Sequence, residues 1–198
     1  MSANPPTHSS TTEIAPVDLN PTSDKPELFK DLIKKINFAV GLELSDDTLD
    51  TLRSADTFSP SINQTQSFIS YHPIFLNVEV KKAYQAKDPV IPLAAWTAAE
   101  FKKRKAEGWD LGMPVLTVAI SGNQWTLYVV ASRKAEDVPC GYRLYFLGTC
   151  DLGSTKSMRD IRVLFDNLCD IVMWGRGGYL TWFQDHIVAS CAGGSVED

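Results

Sequence analysis

Two stretches of the chain alternate apolar and polar residues, and this alternation limits the fold more than any other feature. The apolar positions are every second residue from 36 to 44, and again every second residue from 74 to 80. Successive side chains of a β-strand point to opposite faces, so a period of two residues indicates a strand with one buried face. The sequence therefore predicts strands at about 36–44 and 73–81.

Other segments carry the period of a helix or the signals of a hairpin. A helix is predicted at about Pro92–Glu107, where Leu93, Trp96, Glu100 and Phe101 share one side. The remaining predicted elements are a short helix at about 47–52, strands at about 115–120 and 125–131 around a Gly122-Asn123 turn, a strand at about 143–147 and a helix at about 155–173.

The glycines at 175, 177 and 178 are predicted to end the long helix, before a last short helix at about 179–189. A mobile lid is the alternative for this glycine-rich stretch. The order of helices and strands predicts an α/β fold with a mixed central sheet flanked by helices.

The length of 198 residues suits one domain, which we place at 24–190. Residues 1–23 are rich in Pro, Ser, Thr and Asn and are predicted to be a disordered tail, and residues 191–198 a flexible one. A first helix is predicted from Asp24, its N-cap, to about Lys34. Its apolar stripe consists of Leu28, Phe29, Leu32 and Ile33.

No apolar run approaches the roughly 18 residues that a membrane span needs, and the N-terminus lacks the basic start and apolar core of a secretory signal. We therefore expect a cytoplasmic protein, with a nuclear location as the alternative. The cysteines are far apart in the sequence, so free buried thiols are expected rather than zinc ligands. They are Cys140, Cys150, Cys169 and Cys191.

The net charge of −5, from 24 acidic and 19 basic residues, argues against a nucleic-acid partner. Neutralisation of phosphates by basic side chains supplies most of the affinity for nucleic acids. The one dense basic run, 102–105, falls at the end of a predicted helix and is expected to face water. A phosphate contact or a nuclear import signal is the alternative.

Glu79 and Lys81 are the most suggestive residues for chemistry. Because they are two positions apart on a predicted strand, their side chains point the same way, roughly 7 Å apart at the backbone. A carboxylate can bind a divalent cation, and a neighbouring ammonium can orient water or stabilise an anionic oxygen. A simple ion pair on one face of the strand is the alternative.

The order of several motifs resembles a fungal family of PD-(D/E)XK nuclease-like proteins. The segments are SPSINQTQSFISYHPIFLNVEVKK, PLAAWTAAEFKKR, MPVLTVAISGNQWTLYVVASR, LGSTKSMRDIRVLFDNLCDIVMW and YLTWFQDHI. The resemblance covers about Lys34 to Ile187. It implies a restriction-endonuclease-like fold and a metal site of an aspartate, the Glu-x-Lys pair and a glutamine.

The resemblance also implies that this site is degenerate. Glu79 and Lys81 match the family's Glu-x-Lys, but Asn37 stands at the position of the metal-binding aspartate and Pro92 at that of the glutamine. Losing one close carboxylate would weaken divalent-ion binding by several kcal/mol, since a charge pair at 4 Å is worth about 4 kcal/mol at an effective dielectric near 20. Asp56 or Asp88 is considered as a substitute ligand.

Three functions follow from this reading. The first is a metal-independent cyclisation, isomerisation or elimination of a small molecule in fungal secondary metabolism, without a cofactor. Its catalytic residues would be Glu79 as base, Lys81 as oxyanion stabiliser and Asn37 as hydrogen-bond donor. The predicted substrate-binding residues are Asn77, Tyr71, His72, Trp96 and Trp125, for which core packing is the alternative role of the tryptophans.

The second is a surviving nuclease that uses Mg²⁺ or Mn²⁺ on DNA or RNA. The third is a non-catalytic binding domain. The sequence does not decide the oligomeric state.

Overall fold

The computed structural model describes residues 38–55, 61–63, 71–82 and 89–193. Five strands form one sheet in the order β1-β2-β3-β4-β5, with β2 and β3 parallel and the other neighbours antiparallel. The strands are β1 (Phe38–Gly41), β2 (Ile74–Lys81), β3 (Val115–Ser121), β4 (Gln124–Lys134) and β5 (Tyr142–Ser154).

Three helices flank the sheet and are followed by a helical C-terminal segment, Gly175–Gly193. The helices are α1 (Asp46–Ser54), α2 (Val90–Ala106) and α3 (Met158–Trp174). Helix α2 lies in the crossover between the parallel strands β2 and β3, which cannot be joined by a tight turn. The predicted α/β fold with a mixed central sheet is confirmed.

Helix α2 covers one face of the sheet through two small apolar clusters. Leu93 and Trp96 pack on Ala119 of β3, and Phe101 packs on Val115 and Val130. Burial of each large side chain contributes about 1.5–3 kcal/mol relative to exposure. Because the helix runs antiparallel to β3, its first half lies over the end of β2 that carries Glu79.

The opposite face holds the larger core, between the sheet and α1, α3 and the C-terminal segment. Its members include Leu52, Leu76, Val118, Leu164 and Phe183. This face contains Leu76 and Val78 of β2 and Leu116, Val118 and Ile120 of β3, whereas Val115 and Ala119 of β3 face α2. From Leu76 onwards, the alternation in the sequence thus separates the residues of the two helix layers.

The glycine-rich stretch does not end the long helix. Residues Gly175–Tyr179 form a π-helical turn, and helical structure continues through α4 (Leu180–Phe183) and a second π-helical turn to α5 (Ala189–Gly193). A Cβ atom on Gly175 would lie 2.7 Å from the ring of Phe75, so glycine permits a close approach of the helix to β2. The prediction of a helix break was wrong, because the glycine at 175 allows a close contact and does not end the helix.

The hairpin between β3 and β4 is confirmed. Its two-residue loop begins at Gly122, whose φ of 59° suits the first central position of a tight hairpin turn. Strand β5 begins one residue before the predicted strand and extends to Ser154. The predicted tail 1–23 and the helix at 24–34 lie outside the described residues.

Two smaller expectations need correction. The four cysteines are free, as expected, but Cys140 and Cys150 are exposed rather than buried. In the basic run only part faces water: Arg104 is buried. No helix in the described part of the chain is long and apolar enough to cross a membrane.

Candidate functional site

Glu79 and Lys81 form an ion pair on the face of β2 that α2 covers. One Glu79 carboxylate oxygen contacts the Lys81 ammonium, and the other, Oε2, has no hydrogen-bond partner. Glu79 is 2% exposed, whereas the Lys81 side chain is 20% exposed at the end of the strand. Glu79 is therefore the buried member of the ion pair, and Lys81 is the member nearer to water.

Next to this pair lie a buried amide and a buried hydroxyl. Asn77, two residues before Glu79 on the same face, pairs in register with Thr117 of β3, and both are fully buried. Neither amide atom of Asn77 nor the Thr117 hydroxyl makes a hydrogen bond of normal geometry. A buried polar group without a partner is destabilising by about 1–3 kcal/mol.

A second buried ion pair, Glu100–Arg104, lies on α2 beside Asn77. Arg104 also donates to the Met113 carbonyl at 2.7 Å and stacks on the Trp182 ring at 4.6 Å. Burial raises the pKa of Glu100, although Arg104 and then the Asn77 amide act in the opposite direction. The face under α2 thus carries two carboxylates, and each has one oxygen paired to a cation.

Sequence reasoning did not assign a role to Glu100, Arg104 or Thr117. A signal for the first two was present, because Glu100 falls on the apolar side of its helix and an arginine follows four residues later. Nothing in the sequence marks Thr117, because threonine is common in buried strands.

A small cleft opens beside Glu100 rather than beside Glu79. Its walls include Asn63, Lys103, Arg104, Trp109 and Trp182. The space inside holds only about one or two water molecules, so this cleft is too small for a drug-sized substrate.

The structure brings together only part of the predicted substrate-binding set. Trp96 is buried against Ala119, the register partner of Glu79, and its indole N–H has no hydrogen-bond partner. Asn77 also lies on the Glu79 face. These two residues, with Glu79 and Lys81, form the candidate site.

Tyr71, His72 and Trp125 are placed elsewhere. Tyr71 and His72 precede β2, at the opposite end of the strand from Lys81, and the His72 ring lies 3.3 Å from the Leu42 carbonyl. His72 lies seven positions before Glu79, which is at most about 23 Å in an extended chain at 3.3 Å per residue. Trp125 pairs with Ile120 and packs in the core of the other face.

Pro92 lies in the first turn of α2, where a missing backbone N–H leaves no helical hydrogen bond unmade. The other residues tied to a metal site, Asn37, Asp56 and Asp88, lie outside the described residues. Strand β1 is described from Phe38, which pairs with Val78.

A family model of the PD-(D/E)XK nuclease superfamily matches residues 2–180. This match spans nearly the whole chain, and the mixed five-stranded sheet with flanking helices is consistent with its restriction-endonuclease-like fold. The chain belongs to the PD-(D/E)XK nuclease superfamily. No curated protein and no solved structure matches the chain significantly.

Members of a PD-(D/E)XK superfamily are expected to bind a divalent ion, which requires a suitable set of donor atoms. Mg²⁺ is held by carboxylates and keeps several waters. Within the described ranges there is no group of three His, Cys, Asp or Glu side chains placed to hold a metal, and Lys81 offsets the charge of Glu79. The described residues of this PD-(D/E)XK chain therefore do not fit a divalent ion.

Proposed function

We propose that this chain is a degenerate PD-(D/E)XK protein that carries out metal-independent acid–base chemistry on a small molecule. The observation that supports this is the Glu79–Lys81 pair, in which one carboxylate oxygen is held by the ammonium and Oε2 is unpartnered.

In this proposal Glu79 Oε2 accepts a proton from a carbon next to a carbonyl group and returns it to the product. Lys81 stabilises the negative charge that develops on the carbonyl oxygen. Asn37, one residue before β1, donates a hydrogen bond to the same oxygen. The reaction class is a cyclisation, isomerisation or elimination, which needs no net gain or loss of electrons by the protein.

The approach to the site is from the Lys81 end of β2, because exposure rises along the strand from Glu79 to Lys81. Trp96 and Asn77 are buried beside Glu79, so they would fix the position of its carboxylate rather than contact the substrate. The family that the chain resembles is fungal, and a substrate from fungal secondary metabolism would be a polyketide or a terpenoid.

The test is replacement of the gene in its source organism, with metabolites compared by mass spectrometry. The variants are Glu79→Gln, Lys81→Met and, as a matched control, Lys82→Met, which changes an exposed neighbour. We expect the first two to give the metabolite profile of a deletion and the control to give that of the wild type. A deletion phenotype that Glu79→Gln fully restores would refute the proposed role of the carboxylate.

A second candidate is a metal-dependent nuclease, which superfamily membership favours. The purified chain would be incubated with Mg²⁺ or Mn²⁺ and single- or double-stranded DNA or RNA. We expect no cleavage by the wild type, since Glu79 is the one carboxylate at the described site. Cleavage that is abolished by Glu79→Gln would establish the nuclease, and cleavage only after Asn37→Asp with Pro92→Gln would identify a disabled one.

A further inference from the structure

Strand β5 lies at one edge of the sheet, and its first half is apolar for an edge strand. Within the described residues its only strand neighbour is β4. Natural proteins usually protect such an edge with charges, prolines or bulges, because its outward N–H and C=O groups can pair with another chain. Segment 142–147 has one charge and no proline, and the first bulge of β5 follows Leu147. We call 142–147 the edge segment.

The two faces of the edge segment have different surroundings. Its even-numbered residues are partly buried against the cluster around Phe101 of α2. Its odd-numbered residues are Arg143, Tyr145 and Leu147, which point to the other face. On that face Tyr145 is 40% exposed and Leu147 is 47% exposed. A strand added to this edge would bring its own side chains against these two apolar groups.

Two arginines lie side by side on the same face. Arg133 of β4 is the register partner of Arg143, and its guanidinium lies 5.6 Å from the centre of the Tyr145 ring. Like charges directly opposite each other on neighbouring strands repel. Arg143 contacts Asp137, but both side chains of that pair are more than half exposed, so water and salt screen it. Because a guanidinium can donate two parallel hydrogen bonds to a carboxylate, the arginine pair suits an acidic ligand.

The arginine pair belongs to a wider group of cations. Lys134 is exposed, and Lys105 of α2 reaches this end of the sheet, where its ammonium donates to the Cys140 carbonyl. We call this group the basic corner: Lys105, Arg133, Lys134 and Arg143. The turn between β4 and β5 holds two acidic residues, Glu136 and Asp137, so positive charge is in excess here, although the whole chain has a net charge of −5. Such a local excess attracts a negatively charged partner.

We propose that β5 binds an extended segment of an acidic partner protein, which joins the sheet as a further strand. The backbone of that segment would pair with the edge segment, as in other cases of strand addition. Side chains two positions apart on a strand share a face. The partner would therefore present carboxylates to Arg133 and Arg143, and apolar side chains two or four positions away to Tyr145 and Leu147.

Two other occupants fit these observations less well. A second copy of this chain, paired through its own edge segment, would bring two basic corners into one interface, where they repel. A nucleic acid would satisfy the cations, but it has no peptide groups to pair with the backbone of an edge strand.

The first test uses a fluorescent peptide, Glu-Thr-Glu-Thr-Val-Thr-Val-Thr-Glu-Thr-Glu, whose anisotropy is followed as the full-length chain is added. The peptide reads the same in both directions, so it can align parallel or antiparallel to β5. We expect it to bind at least about 10-fold more tightly than the same peptide with lysine for each glutamate, and the difference should shrink at high salt. No binding at about 1 mM, equal binding of both peptides, or tighter binding of a single-stranded DNA oligonucleotide would overturn the proposal.

The second test exchanges the charges. Arg133→Glu combined with Arg143→Glu keeps two like charges opposite each other and should reverse the preference, so that the lysine peptide binds about 10-fold more tightly than the acidic one. Arg159→Glu is the matched control, because it makes the same change at an exposed position of α3, and it should keep the wild-type preference. A double variant that still prefers the acidic peptide would refute the role of the arginine pair.

The third test needs no variant. Amide hydrogen exchange of the wild-type chain is compared with and without the acidic peptide by mass spectrometry. The bound peptide should slow exchange in 142–147 about 10-fold, with β2 as an unchanged internal reference. Slower exchange only in other segments would contradict strand addition at this edge. Protection of 142–147 that appears without peptide as the protein concentration rises, together with a dimer in sedimentation, would assign the edge to a second copy and overturn the proposal.

Discussion

The two ends of the Glu79–Lys81 pair differ in their contact with water, so the two single substitutions should have unequal effects. The side chain of Glu79 is 3% exposed and that of Lys81 is 20% exposed. Lys81→Met leaves a buried carboxylate with neither oxygen paired, and breaking a buried ion pair in this way costs roughly 3–5 kcal/mol. Glu79→Gln leaves an ammonium that can reach water and an amide oxygen that still accepts from it, a loss of about 1 kcal/mol.

The measurement is urea unfolding at pH 7 of the wild type, both single variants and the double variant. Lys81→Met should lose about 2 kcal/mol or more beyond Glu79→Gln, and the double variant should resemble Glu79→Gln because no charge remains buried. Lys82→Met, at an exposed position, should stay within about 0.5 kcal/mol of the wild type. Equal losses, or a larger loss for Glu79→Gln, would refute the burial argument.

Three further predictions concern the buried acid, the helix turn and the helix cap. Burial raises the pKa of Glu100 above 4.5, so the folded protein binds more protons than the unfolded chain. The free energy of unfolding should therefore fall as the pH rises above 4.5, with a slope of at most about 1.4 kcal/mol per pH unit. Urea unfolding of Glu100→Gln should show that this slope is removed. Gly175→Ala should lower the free energy of unfolding by about 1–3 kcal/mol because its methyl group would lie 2.7 Å from Phe75, whereas Gly177→Ala, with nothing within 4 Å, should raise it by up to about 1 kcal/mol. Ser157→Ala removes the N-cap of α3 and should cost about 1 kcal/mol in thermal unfolding.

Each of these predictions has an outcome that contradicts it. An identical pH slope in Glu100→Gln would assign the slope to other groups. Equal effects of Gly175→Ala and Gly177→Ala would mean that the contact with Phe75 yields at little cost. Ser157→Thr keeps the cap and should be close to the wild type, so a loss equal to that of Ser157→Ala would exclude the hydroxyl as its cause.

The strand pattern was predictable because burial on one face imposes a period of two on the sequence. That period predicts that Glu79 and Lys81 share one face of β2. Trp125 pairs with Ile120, and its side chain therefore lies on the opposite face of the sheet. The helix over 92–107 was predicted for a similar reason. In the structure it begins two residues earlier and ends one residue earlier, at Val90–Ala106. These features depend on neighbours close in sequence.

The features that could not be predicted depend on residues distant in sequence. Gly175 lies in a helical turn that passes close to the ring of Phe75, one hundred positions earlier, and a side chain there would clash with it. Arg104 is buried because Trp182 and the Met113 carbonyl provide it with contacts that a basic run does not reveal. Tyr71 and His72 are close to Glu79 in the sequence and were therefore grouped with it. Because β2 is extended, they lie at the opposite end of the strand from Lys81.

The order of the strands across the sheet is also their order along the chain, and this has a consequence for how the domain assembles. Strands β3, β4 and β5 are joined by short connections, while β1 and β2 are separated by more than 30 residues and β2 reaches β3 only through a helix. Contacts between near neighbours in sequence form with less loss of chain entropy, so the β3–β5 meander is expected to form early in folding and the β1–β2 pair late. The candidate site would then be built on the last part of the sheet to form, where substitutions alter the rate of unfolding more than the rate of folding.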